Sequence, residues 1–240
     1  MSLTATHSQN TQTQSVNLTL PTLQGSVGRV FPFAPKAGSK KGFIQNINLQ
    51  YNVRGENSIA TTDSLFFKKE MFDDARIGMR HSIPISTNFK VLQYFSFSAT
   101  ASYEETWTLN TINRFFDEDL EQQVTEDLKG FDSYRTYNFS TSVGTTIYGM
   151  FPLEKEGQDK KIKAIRHVIT PGISYNINPA FDRYYDTFEE TDINGDPVNV
   201  EYSRFEGSLF GVPNRRYSSN IGLSLNNNIE AKVRDSDTTK

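Results

Sequence analysis

The chain has 240 residues, a formal net charge of −3, no cysteine and a mean hydropathy of −0.55. The charge balance provides no overall positive field for a nucleic-acid partner, and the absence of cysteine excludes disulfides and thiolate metal sites. No stretch approaches the roughly 18 consecutive apolar residues of a transmembrane helix.

The beginning of the chain predicts short strands separated by polar connections. Residues 4–15 are polar and alternate weakly, and residues 16–20 predict a short strand that ends at Pro21. Residues 24–33 are compatible with a second short strand or with an irregular turn, and residues 34–42 form a basic connection that contains glycine.

Two further strands are predicted over residues 43–54 and 75–85, because apolar and polar side chains alternate there. Between them, residues 55–74 predict a long polar loop. Residues 86–92 predict a short turn that leads into the next strand.

The clearest pattern lies between Gln93 and Phe151. From Gln93 to Leu109 the odd positions are mostly apolar and the even positions almost all hydroxylic, and the same period of two returns from Tyr137 to Phe151. Both runs exceed the usual globular strand of about 5–6 residues and reach the roughly 9–11 residues of a tilted membrane-crossing strand. Residues 111–131 are acidic and predict a long loop with a helical turn or two.

The end of the chain predicts long strands over residues 167–177 and 217–233 and a weak strand over residues 200–212. The connections there are a basic link at 152–163, an acidic loop at 180–199 and a tight turn at 213–216.

Long and short connections therefore alternate along the chain. Outer-membrane barrels have this asymmetry, with long outer loops opposite short periplasmic turns. The long loops are acidic, whereas basic residues lie in the shorter links: Lys155, Lys160, Lys161, Lys163, Arg215 and Arg216. An up-and-down arrangement would place all the long, acidic loops on one rim.

These patterns predict an all-β fold, an antiparallel up-and-down transmembrane β-barrel of about eight strands that is a portion of a larger barrel. Residues 1–240 would form a single barrel region. The low mean hydropathy is compatible with a barrel, because only alternate residues of its strands face lipid. A soluble β-sandwich also has alternating strands, but the strand lengths, the uncharged polar faces and the aromatic residues near strand ends favour the barrel.

Several segments carry a more specific signal. Residues 164–175 (AIRHVITPGISY) and 178–182 (NPAFD), together with residues 223–233 (LSLNNNIEAKV), resemble segments of the lipopolysaccharide-assembly outer-membrane proteins of the LptD (OstA) family. Residues 8–13 and 30–33 resemble that family as well, so that the resemblance extends over most of the chain.

The resemblance implies a large outer-membrane barrel that receives lipopolysaccharide from periplasmic Lpt bridge proteins and guides it into the outer leaflet. It also implies contact with membrane lipid, an LptE-like lipoprotein plug in the lumen and a lateral gate between the first and last strands. Neither a signal peptide nor a periplasmic jelly-roll domain is visible, and the cysteines that tie the two domains together in some members are absent. We therefore expect a fragment, the middle portion of such a barrel.

No set of residues predicts catalysis, a cofactor or a metal site, so an enzyme is not expected. His7, His81 and His167 are widely spaced, and the sequence has no nucleophile elbow or glycine-rich phosphate loop. His81 and His167 lie on apolar strand faces, where packing or an interface position is expected. Residues 192–196 (DINGD) fail the spacing of a calcium loop and predict a tight turn. Pro171, which lacks an N–H, is expected to mark a bulge rather than a weakened strand pair that helps a barrel to open.

Two functions remain open from the sequence. One is an outer-membrane component of lipopolysaccharide transport, which would guide sugars and phosphates along its polar face and acyl chains along its apolar face. The alternative is a soluble or surface-exposed β-rich carbohydrate-binding module. The acidic loops could hold divalent cations that bridge lipopolysaccharide phosphates, although ordinary solvated charge is the simpler interpretation.

Overall fold

A computed structural model describes residues 1–154, 161–191 and 195–233. These ranges contain two short helices, α1 (Gly42–Gln45) and α2 (Lys69–Asp73), and two 3₁₀ turns, Asp63–Leu65 and Asp182–Tyr184. The strands are β1 (Ser2–Asn10), β2 (Ser15–Val30), β3 (Asn48–Thr62), β4 (Arg76–Val91), β5 (Phe95–Asp117), β6 (Gln122–Thr145), β7 (Ile147–Pro152), β8 (Ile162–Asn178), β9 (Tyr185–Thr191), β10 (Pro197–Ser203) and β11 (Ser218–Val233). Within the described ranges, no helix has the length and the apolar character needed to cross a membrane.

Nine strands form one antiparallel sheet in the order β1-β2-β3-β4-β5-β6-β8-β11, and β7 continues the line of β6 against β8. Consecutive strands are neighbours along almost all of this order, so the predicted all-β, antiparallel, up-and-down fold is confirmed. Over residues 1–154, 161–191 and 195–233, β1 and β11 form the two edges of the sheet and do not pair with each other.

The central hairpin is much longer than the sequence indicates. β5 has 23 residues and β6 has 24, and Asp117 pairs with Gln122, so the predicted long loop over residues 111–131 is wrong. The chain reverses within residues 118–121, where Glu121 adopts a left-handed backbone conformation (φ 50°). The acidic residues decorate a tight turn and the strand ends beside it.

Other strand boundaries also differ from the predicted ones. β3 begins later than predicted, at Asn48, because residues 42–45 form α1, but it continues to Thr62, into the predicted loop. The loop that follows β3 is accordingly confined to residues 63–75. β4 continues to Val91, so the turn before β5 is residues 92–94 rather than the predicted 86–92.

Among the prolines that lie inside strands, Pro21 and Pro171 are each accompanied by a local irregularity of the sheet. β2 passes through Pro21 as one strand, and its register against β3 shifts between Thr19 and Thr22, because proline cannot donate to the ladder. At Pro171, β8 keeps its register against β11. The break lies on the other side of β8, where β6 ends at Thr145 and β7 takes over the pairing.

Residues 179–217, hereafter the insert, connect β8 to β11. β9 and β10 lie within the insert and pair only with each other in the described structure. The predicted strand over residues 200–212 therefore does not cross the main sheet. The turn at residues 213–216 lies on the same rim as the acidic loops, so the prediction that groups Arg215 and Arg216 with the shorter links is wrong.

The alternation of strand directions defines two rims. The insert rim carries the turns at 11–14 and 118–121, the loop at 63–75 and the insert. The opposite rim carries the connections at 31–47, 92–94 and 153–161. Buried apolar side chains concentrate near the insert rim, in three clusters: Val16, Leu18, Ile59 and Met71; Tyr134, Phe181, Tyr184 and Phe205; and Ile112, Phe188 and Tyr202.

Candidate functional site: the two faces of the sheet

Apolar side chains form a continuous row across one face of the sheet, hereafter the apolar face. Phe89 lies opposite Phe97, which is followed strand by strand by Val143, Ile173 and Leu223. The row is uncovered, since Ile173 is 48% exposed and Leu223 is 80% exposed. A sheet in water normally packs such a face against a core, and large exposed apolar patches mark interaction surfaces.

The opposite face, hereafter the polar face, is covered with hydroxyl and amide side chains that bond from strand to strand. The hydroxyls of Ser98 and Ser142 lie 2.6 Å apart. The side-chain amide of Asn176 donates to the amide oxygen of Asn220 at 3.1 Å. Because the ladder keeps its register over residues 95–108 of β5 and the segments that pair beside them, the two faces differ in chemistry from β4 to β11.

A charged and aromatic cluster lies on the apolar face toward the insert rim. The carboxylate of Glu105 accepts hydrogen bonds from the indole N–H of Trp107 at 2.9 Å and from the hydroxyl of Tyr103 at 2.8 Å. The guanidinium of Arg135 on β6 lies 3.2 Å from the same carboxylate. The cluster satisfies the polar groups of amphipathic side chains while leaving their rings on the apolar face.

The histidines lie on three different strands, β1, β4 and β8. The His81 ring packs against Trp107 with their centroids 4.3 Å apart, and its Nδ1 lies 2.7 Å from the Tyr51 hydroxyl. His167 Nε2 lies 3.2 Å from the amide oxygen of Asn227. His7 lies on β1 beside the ring of Phe66. Each histidine therefore takes part in a local packing or hydrogen-bonding contact of its own.

The insert folds over the polar face near the ends of β5 and β6. Phe205 is fully buried, and its ring lies 4.8 Å from that of Tyr134 on β6 and 5.7 Å from that of Tyr184 in the insert. Ile112 on β5 packs with Phe188 and Tyr202, which belong to the β9–β10 hairpin. An aromatic core therefore attaches the insert to the sheet.

Polar contacts surround this aromatic core. The guanidinium of Arg204 lies 2.8 Å from the carboxylate of Asp132 on β6. Arg114 on β5 is equally close to Glu206. The Tyr134 hydroxyl donates to the carbonyl of Gly211 at 2.9 Å. These contacts fix the orientation of the insert on the polar face, because each joins it to a strand of the main sheet.

Tyr185, at the start of β9, is the insert residue with the clearest change in acidity. Partial burial raises the pKa of its phenol above the usual value, and the neighbouring guanidinium of Arg215 opposes this effect. The hydroxyl donates to the carbonyl of Pro213 at 2.8 Å. The neutral phenol is therefore the form that the docked insert favours.

Arg80 lies on the polar face of β4, between the insert and the open part of that face. Its guanidinium donates to the carbonyl of Phe210 and lies 4.8 Å from the centre of the Phe210 ring. Its Nε is buried and has no hydrogen-bond partner. Two cavities adjoin Arg80, one of about 500 Å³ toward β1–β3 and one of about 480 Å³ beneath the insert.

The described acidic residues of the insert rim do not assemble into a metal site. In the part of the chain that the structure describes, no three histidine, aspartate or glutamate side chains converge as metal ligands would. Residues 192–194 lie outside the described residues, so the tight turn predicted over 192–196 stays a prediction.

Sequence patterns identified the two faces but missed the docked insert and Arg80. The aromatic residues at 181, 184, 188, 202, 205 and 210 were the available signal, since such a density of rings is unusual for a solvated loop. Their partner Tyr134 lies between the predicted loop, which ends at residue 131, and the predicted strand, which begins at Tyr137, so the sequence pattern did not indicate the contact.

Comparison with known proteins gives one match. A family model described as LptD protein matches residues 1–240. No curated protein and no solved structure matches the chain.

Proposed function

Because the chain belongs to the LptD protein family, a family of outer-membrane lipopolysaccharide transport and assembly proteins and not of enzymes, we propose that it guides lipopolysaccharide into the outer leaflet as part of a β-barrel. The observation that carries this proposal is the uncovered apolar face, which lies opposite a hydrogen-bonded polar face on the same strands. Lipid would contact the first face, and the sugars and phosphates of the transported molecule would pass along the second.

The dimensions of the apolar face suit a bilayer. From Phe95 to Glu105, ten steps of about 3.3 Å on a strand tilted by roughly 40° rise by about 25 Å. This matches the apolar band of an outer-membrane barrel, which is about 25 Å tall and bordered by aromatic residues. The cluster of Tyr103, Glu105, Trp107 and Arg135 would then lie at one membrane interface.

The same placement puts the distal halves of β5 and β6 beyond the membrane. Residues 108–131 and the insert that packs on them would project from the bilayer on the side of the insert rim. Long connections of outer-membrane barrels face the exterior, whereas short turns face the periplasm. We therefore orient the insert rim outward and the connections at 31–47, 92–94 and 153–161 toward the periplasm.

We use this orientation to propose where the partners implied by the family would bind. Lipopolysaccharide would arrive from periplasmic Lpt bridge proteins at the opposite rim, and an LptE-like lipoprotein would face the polar side of the sheet. Residues 1–240 would be one region of a larger barrel, with further strands beside β1 and β11. Such pairing would satisfy edge backbone groups that lipid cannot hydrogen-bond.

A pair of lysine substitutions on β11 tests the environment of the apolar face. Leu225 is 63% exposed on that face, and its neighbour Asn226 is exposed on the polar face. In a bilayer, Leu225→Lys places a charge against lipid and costs up to about 2–4 kcal/mol, whereas Asn226→Lys stays on the wet side. In a water-soluble module both substitutions would be neutral within about 0.5 kcal/mol, because both sites are exposed.

The measurement is urea unfolding of the chain refolded in lipid vesicles, followed by tryptophan fluorescence and by heat-modifiable gel migration. A selective loss of stability in Leu225→Lys supports the barrel. Equal stability of both variants, together with a monodisperse folded monomer in detergent-free buffer, would contradict the barrel. The carbohydrate-binding module would then be the better hypothesis.

A further inference from the structure

The larger of the two cavities next to Arg80 lies on the polar face of β1–β4. It has a volume of about 500 Å³ and is lined mainly by groups that donate hydrogen bonds, including the side chains of Gln24, Ser26, Asn52, Arg54 and Arg80. No carboxylate belongs to this lining. A cavity with two guanidinium groups and several neutral donors is suited to an anion that carries many oxygen acceptors.

The two arginines are neighbours by strand register, since Arg54 on β3 lies directly opposite Arg80 on β4. Glu56 neutralises Arg54 with a contact of 2.8 Å. For Arg80, by contrast, the described residues offer no carboxylate within 4.0 Å. An unpaired guanidinium next to a paired one leaves the cavity with an excess of positive charge.

The insert positions the Arg80 side chain through neutral groups, so the guanidinium charge is not neutralised. The Phe210 carbonyl accepts from one terminal nitrogen of the guanidinium and the Phe210 ring supports its plane, while Nε remains buried and unpartnered. A buried donor without a partner is costly. Nε itself is closed to solvent, so a phosphate in the cavity would bind the terminal nitrogens of the guanidinium, whose planar fork suits phosphate oxygens.

We propose that Arg80, supported by Arg54, forms an anion site on the polar face that binds a sugar-linked phosphate of the lipopolysaccharide headgroup. This inference rests on the proposed function for the identity of the ligand. Arg80 neighbours His81 in the chain and lies opposite Thr106, next to the Glu105–Trp107 cluster. The site is therefore close to the height at which the outer-leaflet headgroups would lie, where a phosphate would pause before the lipid leaves the polar face.

The test is a binding titration with the full chain in detergent micelles and three probes: phosphorylated lipid A, the same lipid A after phosphatase treatment, and inorganic pyrophosphate. The phosphorylated lipid should bind the wild-type chain at least about tenfold more tightly than the dephosphorylated lipid, and high salt should weaken this preference. Pyrophosphate, which lacks the sugar and acyl parts, should bind more weakly than the phosphorylated lipid.

Arg80→Gln should abolish most of the preference, Arg80→Lys should retain part of it, and Arg54→Gln should cause a smaller loss. Arg29→Gln, which removes an exposed arginine of β2 outside the cavity, is the matched control and should change nothing. Circular dichroism and heat-modifiable migration establish that each variant is folded. If Arg80→Gln does not fold, the site is tested by Arg54→Gln against Arg29→Gln: only Arg54→Gln should reduce the preference for phosphorylated lipid A.

Equal binding of phosphorylated and dephosphorylated lipid A, or an unchanged preference in folded Arg80→Gln and Arg54→Gln, would overturn the site. Pyrophosphate binding as tight as lipid A binding would overturn the glycolipid as its ligand. The proposed function fails separately, namely if the wild-type chain binds no form of lipid A and folds without a membrane mimic.

Discussion

Apolar side chains are buried in the insert but exposed at the β8–β11 end of the sheet. In the insert, Phe205 is 0% exposed within an aromatic cluster, as in a water-soluble domain. On β11, Leu223 is 80% exposed, and Ile221 and Leu225 on the same face of that strand are 68% and 63% exposed. One chain thus contains a part that makes its own core and a part whose apolar surface is left to be covered from outside. In the proposed barrel, the boundary between water and lipid would lie between these two parts.

The largest effect is expected from the truncation of one aromatic ring of the insert. Phe205→Ala removes the centre of its cluster and should reduce the free energy of docking by about 3–5 kcal/mol, because it leaves a cavity. Leu223→Ala is the control: no protein surrounds that side chain, so no cavity forms and the loss should be smaller. Limited proteolysis within the insert measures docking, and equal protease sensitivity of the two variants would contradict a core that belongs to the insert.

A smaller perturbation tests one hydrogen bond of the same core. Tyr134→Phe keeps the ring against Phe205 but removes the donor to the Gly211 carbonyl. A loss of about 1 kcal/mol is expected, because the carbonyl is left without that partner. Urea-dependent protection of the insert from protease gives the value. Tyr217→Phe, at a 59% exposed position, should not change the stability of the docked insert. An equal loss of stability in Tyr217→Phe would show that the effect does not come from the Tyr134–Gly211 hydrogen bond.

The smallest expected effect concerns pH and Tyr185. Since burial raises the pKa of its phenol in the folded chain, the unfolded chain loses the proton first as pH rises above about 10. The corresponding stabilisation is complete below that pH and is lost as pH rises through the higher pKa of the folded state. Docking of the wild-type insert should therefore weaken above pH 10 more steeply than docking of Tyr185→Phe. Parallel pH profiles would rule out a contribution from this phenol.

Features that depend on neighbouring residues of the chain could be predicted from the sequence, whereas features that depend on residues far apart in the chain could not. The assignment of Phe97, Val143 and Ile173 to one face was correct in advance, because side chains of a strand point alternately to its two sides whatever the partner. The family resemblance on residues 164–182 and 223–233 was likewise visible in the sequence, and the match over residues 1–240 confirms it.

Strand lengths, by contrast, could not be predicted from neighbouring residues alone. Residues 111–131 are polar enough for a loop, and only their pairing with each other, together with the insert that covers Ile112, makes them strand. The ends of strands depend on whether a partner strand continues, which the local pattern does not record.

The fold class, the two faces and the family therefore follow from local properties of the sequence, namely a period of two and short strand motifs. The packing of the insert on the polar face, and the position of Arg80 beside Arg54 in a cavity without carboxylates, become visible only in the folded chain. These features depend on contacts between residues far apart in the chain, and the cost of closing such loops is repaid only by surfaces that fit in three dimensions.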